Sequence, residues 1–353
     1  PTYNRARTIE RAVDSVLDQD YPLVEVIIVD DGSQDDTADR ITKRYSKDQR
    51  VRYFRIPNSG VCVARNRGLR EVRGEFVAML DSDDYWLPGK LSLQIGVLKT
   101  HPTLSMVWSD MDAIDTTGQM VARKYLRTMY GSYQYFPNAL DLFETEWKTE
   151  DNVPYYIGYI SKALIIGNLV HTSTVVARTD RLLKAGEYDQ SVHPSEDQDY
   201  YYRVCLTGPV ALIDTVTIHY EIGSADAASG EARYYELATS SMKVFNRLRE
   251  QMTKDLQIPQ EIIKQKEIDL HRWVGHASFH KGQVAKARRH LMKHLMHSPF
   301  DKASLIYLLL TCIPYSMHIF NLLHRIRGII IRSLIPIYLL RDVEYADLAQ
   351  LFL

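Results

Sequence analysis

Asp81-Ser82-Asp83 closes an apolar run over residues 75–80 that reads as a β-strand. Two carboxylates one residue apart, where a strand gives way to a loop, can turn toward one point. There they offer hard oxygen ligands to a divalent cation shared with a substrate phosphate. A pair of turn-forming or helix-capping aspartates is the competing reading of so short a motif. Asp30-Asp31-Gly32-Ser33 ends an earlier β-branched run, and Asn58-Ser59-Gly60 precedes a helical pattern bearing Ala64-Arg65-Asn66-Arg67-Gly68. Glu196-Asp197-Gln198-Asp199-Tyr200 opens another helix, with Arg203 one turn later. A carboxylate in that place either caps the helix or takes a proton from a hydroxyl group beside it.

These groups need elements to position them. Ile9, Val13, Val16 and Leu17 recur at helical spacing behind Thr8 as N-cap. Strand patterns over 24–29, 51–56, 75–80 and 104–108 alternate with helical patterns over 36–45 and 60–72. Strands joined by helical crossovers predict a mostly parallel α/β sheet covered on both faces. Ligands then sit at the carboxyl ends of the strands, where Asp30-Asp31 and Asp81-Ser82-Asp83 fall. The chain opens with Pro1-Thr2-Tyr3-Asn4, a loop leading into a helix, so a first strand is expected upstream. Residues 123–168 lose the pattern and carry Tyr125, Tyr130, Tyr133, Tyr135, Tyr155, Tyr156 and Tyr159. A strand over 172–177, helices at 180–184 and 195–206, and strands at 210–213 and 216–221 follow. After Gly230 the pattern is helical, amphipathic and basic, dividing the chain into 1–230 and 231–353.

The 43 Lys and Arg residues nearly balance 44 Asp and Glu residues, for a net charge of -1. That excludes a protein whose main work is coating nucleic acid through a basic surface. Cys62, Cys205 and Cys312 are far apart and odd in number, which fits a reducing, cytoplasmic setting without a disulfide framework or Cys-rich zinc site. Residues 303–323 carry no charge, but Pro314 interrupts them, and Arg332 and Pro336 break the run 328–340. Buried helices or an interfacial patch are expected rather than a membrane span. The helical region is left to pair subunits or to rest on the cytoplasmic face of a membrane. His276/His280 and His290/His294 are spaced i, i+4 without accompanying carboxylates, and read as solvated basic faces. Gly282, Ala287, Leu291 and Pro299 faintly resemble a single tetratricopeptide-type hairpin.

Taken with Pro1-Thr2-Tyr3-Asn4, the order and spacing of these groups over residues 1–225 resembles the family-2 glycosyltransferases of bacterial type, whose nucleotide-binding half has the GT-A fold. The resemblance implies that Pro1, Thr2 and Tyr3 pack on a donor nucleobase and that Asp31 accepts a hydrogen bond from its pyrimidine ring. It puts Asn58 and Arg65 beside the nucleotide, with Arg65 able to pair with phosphate. Asp81, Ser82 and Asp83 match the D-x-D that reaches the ribose and the metal, Mn2+ or Mg2+. Asp197 matches the catalytic base and Glu196 its neighbour. Many members carry a metal-contacting His before a Gly-Ser pair. Here Ile218-His219-Tyr220-Glu221-Ile222-Gly223-Ser224 puts Glu221 at that place and His219 two residues earlier, so either could join Asp83 on the metal.

The implied activity is metal-dependent, inverting transfer of one sugar from a nucleotide-diphosphate donor, UDP by default, to a hydroxyl of a glycan or lipid-linked acceptor. The tyrosine-rich stretch is expected to contact that acceptor. Asp269-Leu270-His271-Arg272-Trp273 comes near the Q-x-x-R-W of processive synthases but has Asp where Gln belongs, consistent with single transfer. A sugar-phosphate nucleotidyltransferase is the alternative enzyme, but residues 1–20 lack the glycine-rich basic loop such enzymes use. A non-catalytic glycan-binding protein on the same fold is the other alternative, and intact Asp83 and Asp197 count against it.

Overall fold

A computed structural model describes residues 1–223, 233–251 and 258–312. Ser224 and the expectations for 313–323 and 328–340 lie outside them. The chain divides into two compact units, Pro1–Gly230 with Lys243–Ile262, and Glu231–Met242 with Ile263–Leu353.

In the first unit, α1 (Ile9–Leu17) buries Ile9, Ala12, Val13 and Val16, the stripe a 3.6-residue period dictates. Ile9 and Val13 pack with Ile28, Ile41 and Tyr45, which come from β1 (Val26–Asp30) and α2 (Thr37–Tyr45). β1 pairs in parallel with β2 (Val51–Arg55), and these two strands form a sheet of their own. The chain continues through α3 (Val61–Glu71), β3 (Phe76–Ala78), β4 (Tyr85–Trp86), α4 (Lys90–Thr100), β5 (Met106–Ile114), β6 (Met120–Ala122) and α5 (Leu126–Met129). Then come β7 (Thr145–Lys148), β8 (Pro154–Gly158), β9 (Val176–Arg178), α6 (Thr179–Ala185), α7 (Glu196–Cys205) and β10 (Val210–Glu221).

The larger sheet runs β3-β9-β5-β10-β8-β7, with β4 on β10 and β6 on β5. Every residue of β5 is buried, as a central strand covered on both faces requires. The strands expected at 210–213 and 216–221 are one strand, β10, whose register against β5 shifts around Val216. The pairing is mixed rather than mostly parallel. β1–β2 and β5–β10 are parallel, whereas β3–β9, β5–β9, β8–β10, β7–β8, β4–β10 and β5–β6 are antiparallel. Strand–helix alternation enforces parallel pairing only while a helical crossover follows each strand. Beyond β5 the pairs β5–β6 and β7–β8 join consecutive strands without a helical crossover, and these run antiparallel.

The second unit contains the first half of α8 (Tyr234–Gln251), most of α9 (Gln260–His280), then α10 (Val284–Leu295) and α11 (Lys302–Leu310). Phe279, Ala287 and Leu291 form its core with Tyr307, Leu308 and Leu310. Gly275 lets α9 and α10 approach, since a Cβ there would lie 2.9 Å from the Leu291 side chain. The histidines are contacts between helices rather than solvated faces. His294 is buried and lies 2.9 Å from Asp301, and His271 and His290 meet at 2.9 Å. Burial pushes His276 and His290 down to about 4. Among the described residues, no helix is long and apolar enough to cross a membrane.

Candidate active site

The site begins where β1 ends. Thr2 donates its N–H to the Val29 carbonyl (2.9 Å) and accepts the N–H of Asp31 (2.9 Å), so Pro1–Thr2–Tyr3 lies along the tip of the strand. Thr2 is buried and Tyr3 is 40% exposed, its ring free to meet a ligand. Asp31 is buried and accepts the backbone N–H groups of Ser59 (2.7 Å) and Gly60 (2.8 Å). Gly32 makes this approach feasible. Its φ is +78°, and a Cβ there would stand 2.9 Å from the backbone nitrogen of Asn58. Asn58 itself is exposed on the joined loops.

Arg65 lies on the buried face of α3. Its Nη2 donates to Asp81 (2.9 Å) and its Nη1 to Glu196 (2.9 Å), so one guanidinium joins the strand-end carboxylate to the first turn of α7. Burial works to raise the pKa of Asp81, but Arg65 prevails and holds it below the ordinary carboxylate value. Burial likewise opposes ionisation of Glu196, and hydrogen bonding from His193 (2.9 Å) together with the Arg65 charge keeps its pKa low.

Asp83 behaves differently. Burial, then the Asp84 and Asp81 carboxylates, push it up to about 6. Its side chain is 26% exposed and lies 3.3 Å from Arg5. Ser82 is nearly buried between the two aspartates. Asp84, absent from the sequence reading as a functional group, is fully buried against His171 (3.3 Å), Ser173 and the Glu221 N–H (3.2 Å). In the sequence Asp84 stands directly beyond the D-x-D frame. His171 also faces Tyr130 (3.3 Å). Burial pulls the His171 pKa down, yet its contact with Asp84 leaves it raised.

Asp197 is the second residue of α7, behind Ser195 as N-cap, so capping is not its task. Burial and the adjacent Glu196 charge push its pKa up to about 7. Asn168 donates its Nδ2 to Asp197 Oδ2 at 2.7 Å. The amide's orientation is fixed, because Asn168 Oδ1 accepts the N–H groups of Leu169 (2.9 Å) and Val170 (3.1 Å). Nothing in the sequence pattern marks Asn168, which stands 29 residues from its partner.

Glu221 and His219, the two remaining metal-ligand candidates, are each engaged by protein groups. Glu221 has a fully buried side chain, and its carboxylate is taken up by Arg7 and by Arg11 (2.8 Å). Two guanidinium groups already supply the positive charge a cation would bring. His219 turns toward Tyr85, whose hydroxyl lies 2.6 Å from Nδ1, because the period-2 alternation of β10 sends it to a neighbour on β4. Of the tyrosine-rich stretch, Tyr133 and Tyr155 are core residues. Tyr130 faces the site, and burial followed by the Asp197 charge raises its pKa. Among the described residues, Cys62, His193 and Glu196 form a further group able to hold a metal. Burial pushes the Cys62 thiol up to about 12, and Glu196 is already paired with Arg65.

The profile described as glycosyl transferase family 2 matches residues 1–165. An uncharacterized glycosyltransferase of Rickettsia felis is 41% identical over 230 residues, covering 64% of this chain and 34% of that protein. The putative teichuronic acid biosynthesis glycosyltransferase TuaG of Bacillus subtilis is 48% identical over 97 residues, 27% of this chain and 38% of its own length. A chondroitin synthase of Pasteurella multocida is 36% identical over 125 residues, 35% of this chain and 13% of the synthase. The chain thus spans well under two thirds of these relatives. Among solved structures, the mannosyltransferase PcManGT from Pyrobaculum calidifontis, in complex with GDP-Man and Mn2+, superimposes with a TM-score of 0.52 at 17% identity, over 91% of this chain and 85% of that one. S. aureus TarS 1-349, in complex with UDP-GlcNAc, gives 0.51 at 18% identity over 88% of each chain. At those identities the likeness shows the fold, which is of GT-A type. The profile, the relatives and the architecture thus agree in likening residues 1–165 to glycosyl transferase family 2.

Proposed function

We propose that the chain transfers a single sugar from a nucleotide-diphosphate donor to a hydroxyl of a glycan or lipid-linked acceptor, with inversion at the anomeric carbon. The observation that carries this reading is the Arg65 bridge, which brings Asp81 and Glu196 together and sets Asp197 beside them. An acceptor hydroxyl is a poor nucleophile until its proton is removed. Asp197, at about 7, is basic enough to take that proton near neutral pH while still ionising there. Asn168 holds Asp197 Oδ2 and the Gln198 backbone N–H holds Oδ1 (2.7 Å), which fixes the carboxylate's orientation. As the acceptor oxygen bonds to the anomeric carbon, the bond from that carbon to the diphosphate oxygen breaks and the hydroxyl proton passes to Asp197. On this reading Tyr3, Asp31 and Asn58 hold the nucleoside and Arg65 meets its phosphates.

Asp83 fits a divalent cation. It is a partly exposed carboxylate whose pKa is raised by burial and then by two neighbouring carboxylates, a repulsion that added positive charge relieves. Asp83, together with the donor's phosphate oxygens, would hold Mn2+ or Mg2+. When bound, the ion supplies Lewis-acid neutralisation of the departing diphosphate. The complexes of PcManGT with GDP-Man and Mn2+ and of TarS with UDP-GlcNAc support a nucleotide-sugar donor and a metal. The relative named for teichuronic acid biosynthesis supports a cell-envelope polysaccharide as product.

The test is a screen of nucleotide sugars for metal-dependent thermal stabilisation, since a ligand that binds only the folded chain raises its melting temperature by mass action. Transfer is then assayed with the donor so identified. Chelation is expected to abolish both stabilisation and transfer. Asp197→Asn is expected to lower kcat by about 10²–10⁴-fold at unchanged donor affinity. Acceptor binding by calorimetry without nucleotide or metal binding would instead mark a glycan-binding protein. Pyrophosphate release from a nucleoside triphosphate would mark a nucleotidyltransferase.

A further inference from the structure

One face of the larger sheet carries a row of side chains unlike a core. Glu146 on β7 stands opposite Tyr156 on β8, Tyr156 opposite Leu212 on β10, and Leu212 opposite Trp108 on β5. Asp110 follows Trp108 two residues on, so it shares that face. Leu126 of α5 and the loop 137–140 stand over the row, and a cavity of about 510 Å³ lies between them. That is the size of a small-molecule pocket. None of the residues assigned to the proposed reaction lines it.

Asp110 is only 6% exposed. Its Oδ1 accepts the N–H groups of Met111 (2.8 Å) and Leu126 (3.1 Å), and no described residue donates to Oδ2. Burial outweighs those two N–H groups and raises the Asp110 pKa. A buried carboxylate oxygen without a partner calls for a donor, and here the cavity is the open side. The nearby cations are engaged elsewhere. Lys124 pairs with Asp214 (2.8 Å), another lining residue. Arg127 donates to the carbonyls of Phe136 (3.2 Å) and Pro137 (3.4 Å), its guanidinium 5.0 Å from the centre of the Tyr133 ring. Among the described residues, neither Asp110 nor Glu146 has a paired cation.

The spacing of these two carboxylates selects the ligand. β5 and β7 are three strand spacings apart, ~14 Å between backbones. One metal ion, whose oxygen ligands lie within about 2.6 Å of it, does not bridge groups so placed. A neutral sugar offers hydroxyl donors but no countercharge. An elongated molecule with an ammonium group at each end meets both carboxylates. Its methylene middle then rests on Tyr156, Leu212 and Leu140, and an aromatic ring itself attracts an ammonium group. We propose that this cavity binds a linear di- or polyamine, with one ammonium group on Asp110 Oδ2, the other on Glu146, and the chain between them across Tyr156. The proposal does not depend on the reaction assigned above.

The test titrates spermidine into the full chain by calorimetry at about 0.15 M salt, where diffuse attraction is screened. Binding is expected, and with it a rise in melting temperature. Butylamine, which carries a single ammonium group, should bind at least about tenfold more weakly. Asp110→Asn keeps the Oδ1 acceptor but removes the charge, and should weaken spermidine binding about tenfold. Glu146→Gln should do the same, and because Glu146 lies on the fully exposed β7, this variant carries the test should Asp110→Asn fail to fold. Asp20→Asn removes an exposed charge outside the cavity and should leave binding unchanged. An absence of spermidine binding would overturn the proposal. Equal weakening by Glu146→Gln and Asp20→Asn would overturn it too, by reducing the effect to diffuse charge. So would displacement of spermidine by equimolar Mg2+, which would give the carboxylates to an inorganic cation.

Discussion

Burial and the Glu196 charge lift Asp197 from its ordinary value of 3.8 to about 7, and this shift couples its chemistry to stability. A carboxyl whose folded pKa is raised favours the fold while protonated. That contribution is complete below about pH 4 and is lost as the pH climbs through 7. Asp197→Asn should therefore melt higher than the wild-type chain at pH 8, with the gap closing toward pH 4, even as turnover collapses. Calorimetric melting across that window checks it. In the wild-type chain kcat/KM should rise with pH through about 7, as the base ionises. Asn168→Ala removes a hydrogen bond to the charged form, so that rise should move to higher pH, with kcat lowered and donor KM unchanged. A merely structural role would not shift the profile. Glu221→Gln should cost about 2 kcal/mol in urea denaturation and leave metal affinity intact, because the carboxylate serves Arg7 and Arg11. Asp31, Arg65, Asp81 and Asp197 were legible because each lies in a short run of characteristic types at a strand or helix end. Asn168 and Asp84 were not, since their importance arises from partners that only the folded chain brings near.

At the scale of elements, the amino-terminal third followed its sequence closely. Stripes at helical spacing made α1 and α2, and β-branched runs made β1 and β2 within a residue or two. The antiparallel insertions were illegible, because pairing direction is decided by where the chain returns and not by any residue within the strand. The loops that end β1 and precede α3 are locked by one position. Gly32→Ala would force a side chain into a left-handed backbone and onto the Asn58 backbone, with an expected loss of about 2 kcal/mol. Weakened nucleotide binding should accompany it, since the same contact holds Asn58 and the Asp31 carboxylate together. Urea denaturation and a binding isotherm on the one variant check both.

At the scale of the molecule, a break near Gly230 was legible in the change from strand–helix alternation to continuous helix. The return of Lys243–Ile262 to the first unit was not, because α8 carries no compositional seam between its halves. Arg247 in that returning segment binds Asp189 (2.8 Å) and Asp199 (3.0 Å), and Asp199 stands two residues beyond Asp197 on α7. A fragment ending at 262 should thus melt several degrees above one ending at 230, by thermal scanning of the two. A polypeptide that leaves a unit and re-enters it cannot be divided by a single scission. Whoever trims this protein to its smallest working piece must keep the far side of the excursion, or else strip a counter-charge from the helix that bears the proposed base.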